Sequence, residues 1–342
     1  MKKTLSAAIK YIFFLGLGVF LVWWSLHQIP DAKWDEFIHA LTNARFWLIA
    51  PVFLILTASH ILRALRWKIL MQPMGYNPTG RNTFFAVMIG YLANLAIPRL
   101  GEVLKCTILA RYEKVPAEKL VGTIVAERAF DVISLATVFI ISFVLQYDIV
   151  GEYAREVITE LFKTKTGNFS TYKIIIAIVV VAVIVVALKI WFKQFAHLKI
   201  VIAVKKILRG IWEGLSSIKN VQQKGLFIFY SASIWALYIG GTWVGLYATQ
   251  GTAGLGLKDA VTALAFASIG MIVTPGGIGA YAYFMAKVLE KSDIPFTLGY
   301  ANGTLQWFAQ FAIVTIVGFT CLILLPILNK EKKITNETST SH

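Results

Sequence analysis

The chain has 342 residues, 57% hydrophobic and 15% charged, with a mean hydropathy of +0.68 and a formal net charge of +15. Apolar runs of about 16 to 27 residues are long enough to cross a ~30 Å hydrocarbon core, and the basic residues gather in short stretches between them, which excludes a nucleic-acid partner and leaves no room for a sizeable soluble domain. The two cysteines, Cys106 and Cys321, fall in separate apolar segments and no metal-ligand spacing occurs, so neither a disulfide, a metal nor a cofactor is expected.

In chain order, Lys2 and Lys3 precede an apolar run at 11–26 that imitates a secretory signal. The stretch that follows, VWWSLHQIP, offers no small-x-small cleavage site, so this run is an uncleaved first span. Further spans are expected at 46–64, 119–145, 172–191, 225–249 and 298–325. Lysine and arginine counts set their sides. The N-terminus, the stretch with Arg63, Arg66, Lys68 and Arg81, residues 189–224, and the tail with Lys330, Lys332 and Lys333 are basic and should be cytoplasmic. Residues 27–45 and 146–171 are richer in acids and should be external. Both termini are then cytoplasmic in a multi-pass protein of the cell (inner) membrane.

Parity places two more features. Between Arg81 and the span starting at 119, both cytoplasmic, lie two short apolar pieces, 84–97 and 103–110, broken by PRLGE. They predict a re-entrant hairpin from the cytoplasm with its tip at 98–102. Between the external 250–259 and the span at 298–325 lie 261–274 and 280–289, broken by PGGIG. They predict a second hairpin, entering from outside. Span, span, hairpin, span thus occurs twice in opposite orientation, approximately over 1–145 and 172–325. Such inverted repeats with Gly/Pro-interrupted segments mark binding sites in many transporters. The expected fold is therefore an all-α polytopic membrane protein of about six transmembrane helices plus two re-entrant hairpins. One transmembrane domain covers 1–328, with a basic amphipathic helix near 198–221 on the inner leaflet and a polar, disordered tail at 329–342.

Several polar residues fall at depths where ionised groups are costly. The stretch TIVAERAFDVISL places Glu127, Arg128 and Asp131 inside the third span, where each charge costs on the order of 2.5–3.5 kcal/mol unless paired or wet. Glu127 and Asp131 share a face, and Arg128 can reach an acid on the first hairpin, such as Glu102. Either a structural ion-pair cluster or the lining of a charged substrate site accounts for them. At the first tip, Gly101 should supply the turn between Arg99 and Glu102, and Arg99 can meet a phosphate or carboxylate with its planar fork of donors. At the second, Pro275, Gly276, Gly277 and Gly279 bend the chain and offer backbone N–H groups to an anion near Ala280. Asn302, Gln306 and Gln310 form a polar stripe that interhelical hydrogen bonding alone could explain. His60, Arg63 and Arg66 close the second span, where snorkelling to the cytoplasmic interface explains them.

The stretches IPRLGEVLKCTILARYEKVP, GTIVAERAFDVISL and TPGGIGAYAYFMAKVL, with LRALRW ending the second span, resemble the lysylphosphatidylglycerol synthase transmembrane (flippase-like) family over nearly the whole chain. The resemblance implies a membrane domain that moves a lipid between leaflets. In the best-known members that lipid is aminoacylated phosphatidylglycerol, made by an attached cytoplasmic synthase domain. This chain ends seventeen residues after Leu325, so aminoacyl transfer is not expected, no catalytic residue is assigned, and the lipid need not be the same. Carried over by motif are Arg99, Gly101, Glu102, Glu127, Arg128, Asp131, Pro275, Gly276, Gly277 and Gly279; the stripe adds Asn302 and Gln306. Expected partners are membrane lipids: an anionic or aminoacylated phospholipid, or a lipid-linked sugar. A homo-oligomer is compatible with all of this. Two alternatives stand beside it. One is a polyprenyl-phosphate-dependent glycosyltransferase using Asp31, Asp35 or Glu36, and the other a secondary transporter of a small anion.

Overall fold

The computed structural model describes residues 16, 19, 20, 22–27, 29–97, 99–147 and 221–339, with side chains to Asn329 and without that of Ala96. Every regular element among them is helical. Pro98, the expected span at 172–191, the amphipathic helix near 198–221 and most of the first span lie outside the described residues; 22–27 of that span are helical.

Nine α-helices follow: α1 Trp34–Thr42, α2 Ile49–Met71, α3 Gly80–Ala96, α4 Leu100–Glu113, α5 Ala117–Leu145, α6 Lys224–Leu246, α7 Leu257–Val273, α8 Ala280–Leu289 and α9 Phe296–Ser339. Among the described residues, four helical segments are long and apolar enough to cross a membrane: Phe46–Met74, Ala117–Leu145, Lys224–Leu246 and Phe296–Asn329. The shortest has 23 residues, about 34 Å at ~1.5 Å per residue. Large apolar side chains such as Val132, Ile140, Val144, Ile228, Phe229, Ile316 and Ile323 point outward from these helices. That surface suits a hydrocarbon solvent. The backbone of α9 stays helical to Ser339, past its apolar stretch, where an irregular tail is expected from composition.

The two interrupted stretches each fold into an antiparallel helical hairpin, α3–α4 and α7–α8. In the first, Asn94 Oδ1 accepts from the Gly101 N–H at 2.8 Å, and a Cβ on Gly101 would fall 1.9 Å from the Gly90 carbonyl oxygen. Gly101 therefore does not make the turn, as the sequence suggests. It lies in the first turn of α4, where its missing side chain lets α3 and α4 touch. The left-handed residue at the tip is Arg99, at φ 70°. In the second hairpin Gly276, Gly277 and Gly279 all take positive φ, conformations that glycine adopts without steric cost.

Exchanging the halves α2–α5 and α6–α9 maps the packing onto itself. Helix α2 packs on α6, α3 on α9, and α7 on α5. Each pair is antiparallel: Arg63 meets Tyr238 and Arg66 meets Ser231; Asn82 meets Asn329; Ser142 meets Thr262 and Gln146 meets Asp259. Two polar clasps obey the same exchange. At one hairpin base Glu113 accepts from Thr79 and Asn82, and Asn82 bonds Asn329 of α9. At the other, Asp259 accepts from Ser292, from Gln146 of α5 and from the Gly256 N–H.

The register also sets the depth of the tips. Trp307 Nε1 donates to the Gly276 carbonyl at 2.7 Å, and a Cβ on Gly276 would meet the Leu95 side chain at 3.7 Å. Contacts of Gly318 with Met88 and Leu92 carry the first tip to the level of Phe311. Both tips thus meet near the middle of the Phe296–Asn329 segment. Neither is level with its ends, as full crossings would require.

Candidate functional site

The ionised residues assemble from three helices of the first half. The carboxylate of Asp131 on α5 takes Arg63 Nη1 and Arg66 Nη2 from α2, each at 2.6 Å. One turn earlier, Glu127 accepts from Lys105 Nζ of α4 at 2.9 Å and faces Arg63 Nη1 at 3.5 Å. Glu127 and Arg66 are 0% exposed. Lys105 Nζ also lies 4.4 Å from the ring centroid of buried Trp67, whose indole N–H donates to Thr123. Tyr238 and Ser231 of α6 accept from Arg63 and Arg66, tying the second half to the cluster.

The basic end of α2 is therefore not a snorkelling group. His60, Arg63 and Arg66 are buried, and both arginines are held by carboxylates. An arginine cluster at the end of an apolar run has the same appearance in either case. The acids it meets lie more than sixty residues away in sequence. Lys105, which carries no distinguishing signal in the sequence, is buried in α4 with Cys106 and Leu109.

Above this layer is a cavity of about 550 Å³, walled by both hairpins and by α2, α5, α6 and α9. His60, Arg63, Arg128 and Asp131 form its charged end, and Arg45, ahead of α2, is a further cationic wall residue. Arg128 is 43% exposed; its Nε lies 3.5 Å from a Glu102 oxygen without a hydrogen bond to it. His60 is 4% exposed, and neither ring nitrogen has a hydrogen-bond partner among the described residues. Most of the remaining wall is apolar or aromatic, including Leu56, Leu95, Trp235, Met271 and Trp307. Several wall residues, Phe46, Ile49, Ile272, Phe308 and Phe311, are large apolar side chains that stay exposed.

Of the residues singled out in the sequence, His60, Arg63, Arg128, Asp131, Gly276, Gln306 and Gln310 line the cavity. Glu127 lies beneath it and holds Arg63. Glu102 faces Arg128 from the first hairpin, while Arg99 is exposed and Gly101 is buried in the α3–α4 contact. Pro275, Gly277 and Gly279 belong to the second tip but are not wall residues. There the N–H groups of Gly277 and Ala280 bond the Thr274 and Ile278 carbonyls, so the turn itself takes up two of the amides expected to face an anion. Asn302 is buried and donates to the Gly245 carbonyl and to Thr249 Oγ1, joining α9 to α6. The GYANG stretch, not singled out in the sequence, sets Gly299 against Ala286 and Gly303 against Ala282, so that α8 and α9 approach closely. Asp31, Asp35 and Glu36 lie at the start of α1, and none is a cavity wall residue.

Residues 9–318 match the family described as the lysylphosphatidylglycerol synthase TM region. A UPF0104 membrane protein of Methanocaldococcus jannaschii is 21% identical over 342 residues, covering 97% of each chain. No solved structure matches the chain. The chain belongs to the lysylphosphatidylglycerol synthase transmembrane-region family, and it is an integral, all-α, polytopic membrane protein.

Proposed function

We propose that this protein is a flippase-like lipid transporter, moving a phospholipid or a lipid-linked head group between leaflets without chemical change to it. The observation that carries this reading is the cavity between the hairpin tips, with a cluster of charged side chains at one end and exposed apolar side chains in its wall. A headgroup needs charged and hydrogen-bonding groups that stay buried from hydrocarbon, while acyl chains need an apolar side exit. A small-anion transporter requires a water-lined path, which a rim of Phe46, Ile49, Ile272, Phe308 and Phe311 would not supply. Ionised groups at membrane depth commonly mark a substrate or ion path. The hairpins, related by exchange of the halves, supply the two alternative packings that alternating exposure needs. In this reading the basic stretches are cytoplasmic, as their lysines and arginines direct, and both termini lie in the cytoplasm of the cell membrane.

The test is transbilayer movement of fluorescent lipids in liposomes carrying the purified protein, scored by dithionite quenching. Transport predicts loss of protected fluorescence faster than in empty vesicles for at least one lipid class. Anionic, zwitterionic and aminoacylated lipids all moving at the protein-free rate would refute it.

A further inference from the structure

We propose that the charged end of the cavity is a subsite for a lipid headgroup whose only charge is one phosphodiester, held by Arg128 and His60, and that it disfavours aminoacylated, cationic headgroups. The proposal rests on the lipid reading above and narrows it.

Charge balance is the first argument. Around the charged end the described residues supply four cations, Arg63, Arg66, Lys105 and Arg128, against three carboxylates, Glu102, Glu127 and Asp131. Three of the cations are engaged: Asp131 bridges Arg63 and Arg66, and Glu127 holds Lys105. The surplus falls on Arg128, whose only ion-pair contact among the described residues is the 3.5 Å approach to Glu102. One added negative charge closes the balance at this end; Arg45, the other cationic wall residue, lies ahead of α2, well away from Arg63 in sequence. An aminoacylated headgroup brings ammonium groups to an end whose two deeper carboxylates are already bonded to arginine and lysine.

Unused hydrogen-bonding capacity is the second, independent argument. Buried polar groups are nearly always bonded, and an orphan calls for an occupant. His60 is 4% exposed, lines the same end as Arg128, and has neither ring nitrogen bonded among the described residues. A neutral imidazole can donate one N–H to a phosphodiester oxygen, and a guanidinium can offer two more donors to the other. The arginine and imidazole thus match the two free oxygens of a single phosphodiester. The apolar wall past Leu56 and Trp235 suits the start of the acyl chains.

The experiment measures binding of soluble ligands to the detergent-purified protein by tryptophan fluorescence, since Trp235 and Trp307 line the cavity. The ligands are dihexanoyl phosphatidylglycerol, dihexanoyl phosphatidylcholine, a short-chain lysylphosphatidylglycerol and glycerol phosphate. Phosphatidylglycerol should bind at least about tenfold tighter than the other two lipids, the weight of one charge-assisted hydrogen bond. Arg128→Gln and His60→Ala should each weaken it by about tenfold on the same basis. Glu102→Gln should strengthen it, because the substitution removes the carboxylate that competes for Arg128. A carboxylate there that received a ligand ammonium would make the same change weaken binding of the aminoacylated lipid. Equal or tighter binding of the cationic or zwitterionic lipid would overturn the proposal, as would an unchanged affinity in well-folded Arg128→Gln. Glycerol phosphate binding as tightly as the lipid, with the same Arg128 dependence, would overturn the lipid assignment in favour of a free anion. Selective binding without transbilayer movement would refute transport and leave this subsite standing. Movement of every lipid at one rate, indifferent to Arg128→Gln, would do the reverse.

Discussion

Replacing Glu127 by glutamine should destabilise the protein without changing what the cavity selects. The carboxylate is 0% exposed and accepts from Lys105 Nζ at 2.9 Å, with Arg63 at 3.5 Å and Arg66 at 4.0 Å. Glutamine keeps the shape and removes the charge, which leaves Lys105 buried against the face of Trp67 with no counter-ion. Removing one partner of a buried ion pair costs about 3–5 kcal/mol, whereas a cation–π contact is worth ~0.5–2 kcal/mol and cannot offset it. The double variant Glu127→Gln, Lys105→Met removes both charges at similar volume and should recover most of the loss, because apolar replacement of a whole buried pair is often close to neutral. The assay is reversible unfolding in mixed micelles by titration with a denaturing detergent, applied to both single variants and the double. The folded fraction of Glu127→Gln should keep its ligand preference, since Arg128 and His60 are untouched. A loss below ~1 kcal/mol for Glu127→Gln, or a double variant no more stable than the single, would refute an energetic role for this pair.

Three further substitutions probe the hairpins in the same unfolding assay. Gly101→Ala sets a methyl 1.9 Å from the Gly90 carbonyl oxygen, so the helices must part, and a loss of at least ~2 kcal/mol is expected. Unchanged stability would mean that α3 and α4 are not in contact there. Arg99→Gly relieves a left-handed residue at φ 70° and should raise stability by up to ~1 kcal/mol; a loss would show that the arginine side chain holds the tip. Asp259→Ala removes the acceptor for Gln146, Ser292 and the Gly256 N–H, and should cost about 1–3 kcal/mol. A cost near zero would remove the outer clasp from the account.

The four long spans and both hairpins are legible in the sequence because their signals are local: apolar length, a Pro/Gly interruption, and the sign of the charges at each end. Glu127 and Asp131 are legible for the same reason, since an acid within an apolar helix needs a partner wherever it packs. The partners themselves are not. Arg63 and Arg66 sit where a span meets basic residues, and their meeting with Asp131 depends on how α2 packs against α5. Gly101 is legible as a special position, but glycine serves a turn and a close helix approach equally well, and only the distance to Gly90 separates the two. The amides of Gly277 and Ala280 at the second tip look free in the sequence, and the turn then bonds them internally.

The two hairpin tips meet beside the charged cavity, near the middle of the Phe296–Asn329 segment. Cysteines at Leu95 and Pro275, in a chain with Cys106 and Cys321 replaced by alanine and a protease site introduced between the halves, test this directly in native membranes. Cysteines at Leu56 and Gly241 serve as the positive control, since those positions touch across α2 and α6. A short cross-linker should keep the cleaved halves joined through Leu95→Cys and Pro275→Cys, because Leu95 packs within 4 Å of a Cβ built at the neighbouring Gly276. Halves that separate while the control pair stays joined would place the tips apart, toward opposite faces of a ~30 Å core, and contradict the account.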